Sequence, residues 1–253
     1  MTLNTYEGLH ARRYDVVYGD KPYEAEARFV DSLIRGAGTQ KGRLLDVACG
    51  TGRHAAWFAK LGWEVTGVDY SESLLNQARL NAPDALFLQQ DMRELEVPGG
   101  PFDAVTCLFD SIGYPQATEG ILAALAGMGR HTAAGGLVVI EFLHAPALLG
   151  HASPLGIRRW PLQEDGELIR ISTTRIDERR RLMVVSYELL ELDADGTYER
   201  WEETQANRFF SVAEMEMLLT QAGLHPAAFS PAYTDGGIDD QTFHVIAVAK
   251  VER

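Results

Sequence analysis

The sequence has little that would tie it to an extracellular setting, a membrane or a nucleic acid. Its 253 residues include two cysteines, Cys49 and Cys107. That is too few for a disulfide framework, and both lie in or beside apolar strand-like runs, where thiols stay reduced. No apolar stretch approaches the ~20 residues of a membrane-spanning helix. The first residues, with Asn4, Glu7, His10, Arg12 and Arg13, lack the apolar segment of a signal peptide. Positive charge is the scarcer sign: 23 Lys and Arg stand against 36 Asp and Glu, a net charge of −13. The longest basic run, Arg179-Arg180-Arg181, reads as a solvated hairpin turn rather than a phosphate-binding patch. No repeat or low-complexity tract occurs. These absences lead us to expect a cytoplasmic protein, monomer or homodimer, with neither a nucleic acid nor a membrane as partner. The length suits one large α/β domain with an insertion.

The pattern of apolar residues divides the chain. The spacing of Ala25, Phe29, Val30, Leu33 and Ile34 predicts a helix over Tyr23–Arg35, closed by Gly36-Ala37-Gly38. Short apolar strands then alternate with helices: Arg43–Val47, Arg53–Leu61, Glu64–Asp69, Glu72–Asn81, Leu86–Gln90, Ala104–Phe109, Gly120–His131 and Leu137–Phe142. Such alternation predicts a parallel sheet covered by helices on both faces, with ligands beyond the carboxyl ends of the strands. After Phe142 the pattern changes. Ala145 to Gly166 carries Pro146, Pro154 and Pro161 and reads as loop or short irregular helix. Three strand-like runs follow without helices between them: Leu168–Asp177, Leu182–Leu192 and Tyr198–Phe210, the last two joined by the turn Asp193-Ala194-Asp195-Gly196. Ser211 and Glu214 form a capping box for a final helix, and Ala227–Phe229 and His244–Lys250 supply two more strands. The expected fold is α/β, a Rossmann-like, doubly wound, seven-stranded, mostly parallel sheet with a small antiparallel β insertion. Residues 1–145 would form the cofactor-binding core with a helical N-terminal cap. Residues 146–210 would cover the acceptor site, and 211–253 would complete the sheet.

The most informative residues are Asp46-Val47-Ala48-Cys49-Gly50-Thr51-Gly52, between the first strand and the helix after it. Gly50 and Gly52 permit positive φ and let backbone approach a ligand. The helix start offers unpaired N–H groups at the same point. This is a nucleotide-type cofactor loop. Gly50-x-Gly52-x-x-Ala55 fits the dinucleotide fingerprint with Asp69 as ribose acid, so a nicotinamide-dependent oxidoreductase is one reading. Two further acids favour another. Asp46 stands at the mouth of the turn, where it would repel a pyrophosphate, and Asp91 follows the third strand. Acids at three successive strand ends suit a ligand with a sulfonium, an ammonium, a ribose and no phosphate, which is S-adenosylmethionine.

Leu45 to Gly52 resembles motif I of the class I S-adenosylmethionine-dependent methyltransferases. Val65-Thr66-Gly67-Val68-Asp69 is similar to their second motif and Gln90-Asp91-Met92 to their adenine-contacting acid. Phe102-Asp103-Ala104-Val105 resembles their fourth strand, and Gly135-Gly136-Leu137-Val138-Val139-Ile140 their turn and fifth strand. Ala48 stands where the family often has its first glycine. The resemblance implies that Ala48, Gly50 and Gly52, with Asp46 at the turn, meet the methionine end of the cofactor. It implies that Asp69 accepts the ribose hydroxyls beside Tyr70, and that Asp91 and Met92 read adenine. Tyr14 and Tyr18 lie in a segment that often closes over the cofactor, and no metal is implied. On the acceptor side, Asp110, Tyr114, Glu141 and His144 follow the fourth and fifth strands. Histidine is the side-chain type that needs the least tuning to act as a base at neutral pH, so His144 is the expected base, Asp110 the expected docking group, with Tyr114 beside them and Glu141 as an orienting acid.

Leu45–Gly52, the run Ala104 to Gly113 and the three-strand insertion resemble more closely the amino-sugar N-methyltransferases of antibiotic pathways, which dimethylate a nucleotide-linked amino sugar. Their Ser-Ser-Ile-Gly-His is Asp110-Ser111-Ile112-Gly113-Tyr114 here. Arg158, Arg159 and Arg170 are the cations available for a nucleotide diphosphate. The expected function is methyl transfer to a nitrogen of a small-molecule acceptor, with an amino sugar as candidate. O-methylation, nicotinamide-dependent oxidoreduction and non-catalytic cofactor binding stand as alternatives.

Overall fold

Runs such as Arg43–Val47 and Leu137–Phe142 have no polar face, so a strand made from them must be covered on both sides. The structure, a computed structural model, describes residues 6–39, 42–150, 155–163 and 165–252. It forms β1 (Arg43–Val47), β2 (Glu64–Asp69), β3 (Leu86–Gln89), β4 (Phe102–Cys107) and β5 (Thr132–Leu143). Helices α1 (Gly8–Arg12), α2 (Tyr14–Val17) and α3 (Tyr23–Gly36) precede them, and α4 (Arg53–Lys60), α5 (Glu72–Asn81) and α6 (Thr118–His131) lie between them. A second run of strands follows: β6 (Leu155–Pro161), β7 (Glu167–Asp177), β8 (Leu182–Leu192) and β9 (Tyr198–Arg208). It is preceded by α7 (Ala145–Gly150) and followed by α8 (Val212–Gln221), β10 (His225–Pro231) and β11 (His244–Lys250). Among the described residues no helix is long and apolar enough to cross a membrane.

The large sheet has the order β10-β11-β5-β4-β1-β2-β3. β1 to β5 are parallel, while β11 runs antiparallel to β5 and β10 antiparallel to β11. Neighbouring residues of one strand serve opposite faces. Leu45 belongs to one apolar layer with Ile121, Leu125 and Met128 of α6 and Met215 and Leu218 of α8. Leu44 belongs to the other, with Val30 and Ile34 of α3, Phe58 of α4 and Leu75 of α5. Two complete apolar layers therefore flank the sheet, which is why these strands read as continuous apolar runs rather than alternating ones. The Ser211 hydroxyl accepts the Glu214 N–H and starts α8, while the Glu214 carboxylate pairs with Arg181 and Arg208, so only the serine half of the expected capping box is seen.

The smaller sheet is an antiparallel meander in the order β6-β7-β8-β9. Its first strand lies in the stretch read from sequence as loop; of that stretch, residues 151–154 and 164 lie outside the described residues. β6 is an edge strand that ends on Pro161 and exposes Leu155 and Ile157. It has neither the buried face nor the alternation that marks a strand, and proline is tolerated there because one side of the backbone bonds to nothing. Leu9 of α1 and Val17 of α2 are buried against Leu168 and Leu189 of this sheet. Arg12 and Arg13 pair with Glu199 and Glu191 at its rim. The N-terminal cap thus bridges the two sheets.

The sheets also meet at Gly113, just after β4. A Cβ there would overlap the Asn207 amide oxygen and the Arg208 backbone of β9. Gly113→Ala should therefore lower the free energy of unfolding by about 1–3 kcal/mol through overpacking. Gly36→Ala, at the end of α3 where an added methyl meets nothing within 4 Å, should raise it by about 0.5 kcal/mol. Urea midpoints of the two variants, measured together, check both signs.

Candidate active site

Beyond the carboxyl ends of β1, β2 and β4 lies a cavity of about 530 Å³. Its floor is the loop after β1. Gly50 has φ 55°, and a Cβ there would meet nothing within 4 Å, so bare backbone faces the cavity. The Gly50 N–H donates to the Asp69 carboxylate at 2.8 Å, and the Ser71 N–H donates to its other oxygen at 2.8 Å. Each oxygen of Asp69 keeps a further lone pair for hydroxyl donors. Burial raises the Asp69 carboxyl above its usual range. Asp46 is buried beside it and accepts from Thr106 Oγ1 at 2.8 Å through one oxygen, while the other has no partner in the protein. Desolvation pushes Asp46 up to about 7, with Thr106 opposing and Asp69 adding to the rise. Ala48, Tyr70, Asp91 and Met92 also line this end. Asp91 is held by Arg93, which lowers its pKa.

A buried, partnerless carboxylate oxygen at the mouth of the glycine turn asks for a cation. It would repel a phosphate. The donor set thus fits a ligand with an ammonium and a ribose, as S-adenosylmethionine is.

The other end of the cavity is aromatic and hydroxylic. Tyr14 lines it, and Asp15 next to it ties α2 to the loop through Thr51 (2.6 Å) and Asn81 (2.8 Å). Tyr114, Ser111 and Gln116, after β4, form one wall, and Ala206 of β9 another. Tyr6, which the sequence reading did not single out, completes it: its hydroxyl lies 2.6 Å from that of Tyr114, with the rings edge to face. Its backbone N–H donates to Glu203 of β9 at 3.1 Å. The only signal in the sequence is a tyrosine eight positions before Tyr14, and its partners lie far along the chain, 108 positions away for Tyr114 and 197 for Glu203.

Five expected site residues do not line the cavity. A Cβ on Gly52 would strike Ala78 and Phe87, so that glycine serves the packing of α4 against its neighbours. Tyr18 lies behind Tyr14 (ring centroids 4.6 Å apart) and against Phe109. His144, the expected base, is buried with Nδ1 3.0 Å from the Thr242 carbonyl, away from the acceptor end. Asp110, the expected docking group, is buried on the other side of its turn, 3.0 Å from His244 Nδ1. Glu141 adds a carboxylate 3.4 Å from the same nitrogen and accepts from the Phe109 N–H and the Tyr233 hydroxyl. Being at the right strand end did not decide the right side of the strand. Nor do Arg158, Arg159 and Arg170 converge on the cavity. Arg159 pairs with Glu167, and Arg170 lies over the rings of Tyr18, Trp160 and Tyr187.

A family model described as a methyltransferase domain matches residues 44–136. The dTDP-3-amino-3,4,6-trideoxy-alpha-D-glucopyranose N,N-dimethyltransferase of Streptomyces venezuelae is 34% identical over 92% of this chain and 94% of its own. The putative methyltransferase YqeM of Bacillus subtilis is 30% identical over 91% and 90%. Among solved structures, CalS10 with bound S-adenosylmethionine, an amino pentose methyltransferase of Micromonospora echinaspora involved in calicheamicin biosynthesis, superposes with a TM-score of 0.77. It shares 26% identity over 96% of this chain and 99% of its own.

Asp46 gives a testable sign. Its folded value near 7 lies above its ordinary 3.8, so between these pH values the native state holds a proton that the unfolded state has lost. Its contribution to stability is therefore fully present below about pH 4 and lost as pH rises through 7. Asp46→Asn should gain stability relative to the parent between pH 4.5 and 7.5, by a few kcal/mol, as urea unfolding at the two pH values reads out.

Proposed function

The chain belongs to the S-adenosylmethionine-dependent methyltransferases, and on that footing we propose that it methylates the amino nitrogen of a nucleotide-linked amino sugar. One observation carries the reading: a single cavity has carboxylates and open glycine backbone at one end and paired tyrosine hydroxyls at the other. Ala48, Gly50 and Asp46 would hold the methionine end of the cofactor, Asp69 its ribose, and Asp91 with Met92 its adenine. Tyr14 would close over it, with residues 146–210 covering the acceptor. When bound, the cofactor supplies a methyl group already activated on a sulfonium. The names of the Streptomyces venezuelae and Micromonospora echinaspora proteins support an amino sugar as acceptor. The net charge of −13 weighs against a polyanion such as a nucleic acid. Cys49 stands on the cavity wall as a free thiol, which suits the reducing cytoplasm.

The protein's part is alignment. Burial raises both Tyr6 and Tyr114 well above the ordinary phenol value, so neither loses its proton at neutral pH. Tyr6, Ser111, Tyr114 and Gln116 offer the acceptor hydroxyls and an amide from the cavity wall. An amine that docks neutral there meets groups that orient it and exclude water, and the acid limb of the rate profile then belongs to the amine itself.

S-adenosylhomocysteine at about 100 times its dissociation constant should stabilise the protein by roughly 2.7 kcal/mol, and Asp69→Ala should remove about 1.5–3 kcal/mol of that binding. With S-adenosylmethionine and dTDP-3-amino-3,6-dideoxy-alpha-D-glucopyranose, mass spectrometry should show the gain of one CH₂ per transfer. Tyr114→Phe should cut kcat/KM about tenfold, while His144→Ala should leave the rate and its pH profile unchanged. Stabilisation by NAD but not by S-adenosylhomocysteine would overturn the reading.

A further inference from the structure

Behind Tyr114 runs a chain of hydrogen bonds whose direction can be deduced. Glu203 is buried on β9, and its Oε1 accepts the Tyr6 N–H at 3.1 Å and a Gln205 amide N–H at 2.6 Å. Its Oε2 lies 3.3 Å from His10 Nδ1. Desolvation alone would raise this carboxyl, but His10, Gln205 and the Tyr6 backbone outweigh it and hold it below its ordinary value. Glu203 is therefore an anion that only accepts, so Gln205 must offer it the NH₂ group. The Gln205 carbonyl oxygen then faces the Tyr6 hydroxyl, 3.2 Å away. A carbonyl cannot donate, so Tyr6 gives its single proton to Gln205. In the 2.6 Å contact between the two hydroxyls, Tyr114 is left as the donor.

We propose that Glu203, through Gln205 and Tyr6, is a positioning residue that turns the Tyr114 proton away from the cavity, so that the acceptor meets lone pairs and must itself present an N–H. This rests on the function proposed above and deepens it: the acceptor is a neutral primary or secondary amine, held by one N–H with its lone pair free. Each transfer forms one N–C bond from that lone pair as the donor's C–S bond breaks with its pair left on sulfur, and one proton passes to water. After two transfers the neutral nitrogen has no N–H for Tyr114 to hold.

The test is acceptor binding without turnover. Calorimetry with dTDP-3-amino-3,6-dideoxy-alpha-D-glucopyranose is run in the presence of S-adenosylhomocysteine, whose own binding is measured separately. Glu203→Gln should weaken acceptor binding about tenfold, the loss of one oriented hydrogen bond, and leave S-adenosylhomocysteine binding intact. In a Tyr6→Phe background, where the chain is already cut, Glu203→Gln should add nothing; a carboxylate that merely supported the fold would add its full effect. Gln205→Met, which keeps the carboxylate and deletes only the relay, carries the same expectation if Glu203→Gln does not fold. Unchanged acceptor binding in these variants, or an effect that persists in the Tyr6→Phe background, overturns the proposal. A parent protein that binds S-adenosylhomocysteine but not the amino sugar overturns the proposed acceptor, and with it the N–H requirement stated for it.

Discussion

At the end of β4 the chain must leave the sheet, form a cavity wall and meet the second sheet within a few residues. It does so through two consecutive left-handed residues, Phe109 at φ 54° and Asp110 at φ 58°. Residues with side chains adopt this conformation at a cost on the order of 1–3 kcal/mol each, so the surroundings must over-determine it. Three strands supply the grip. Glu141 of β5 accepts the Phe109 N–H at 2.7 Å, His244 of β11 contacts Asp110 at 3.0 Å, and Asn207 of β9 donates to the Asp110 carbonyl at 3.1 Å. Burial alone would lower the His244 pKa, but Asp110 and Glu141 reverse this and push it up to about 9, so it stays cationic beside them at neutral pH. The apparent metal-ligand set Asp110, Glu141 and His244 is a clamp already satisfied by its own proton.

That turn divides the cavity by origin. The cofactor end is built from segments close in sequence, where β1, β2 and β3 end and their following helices begin. The tyrosine end is built from segments far apart: Tyr6 before α1, Tyr114 after β4, and Ala206 of β9, with Glu203 and Gln205 of β9 bonded to Tyr6 behind it. The clamp brings them together because Asn207 and Gly113 hold β9 against the turn. A change in β9 therefore reaches the tyrosine end of the cavity without touching the glycine loop.

This division explains what could be read from the sequence. The parallel sheet was legible because each strand is apolar throughout and each helix repeats its apolar residues at helical spacing. The glycine turn was legible because Gly50 has a conformation and an openness that local sequence demands. Edge strand β6 was not, because an exposed strand bounded by prolines lacks the pattern that burial imposes. His144 and Asp110 mark the limit of reading by strand ends. β5 continues to Leu143, so His144 leaves it beside Phe210 and turns to the Thr242 carbonyl. Asp110 turns away because its left-handed backbone reverses the side chain that an extended residue would have presented. Such reversals depend on contacts made by distant strands, and no local pattern records them.

The two places where Asp110-Ser111-Ile112-Gly113-Tyr114 departs from Ser-Ser-Ile-Gly-His have distinct physical consequences. An acid in place of the first serine gives the turn a charge that His244 neutralises from β11. A tyrosine in place of the histidine exchanges a group that titrates near neutrality for one that burial keeps protonated. The first change gives the clamp its contact between Asp110 and His244, and the second sets a protonated phenol on the cavity wall at that position. For the proposed amine acceptor, proton removal would then fall to its own equilibrium with water, and the protein's contribution would be the direction in which its hydroxyls point. In the proposed arrangement that direction originates at Glu203 on the second sheet, so the antiparallel insertion would form part of the acceptor site and not merely cover it.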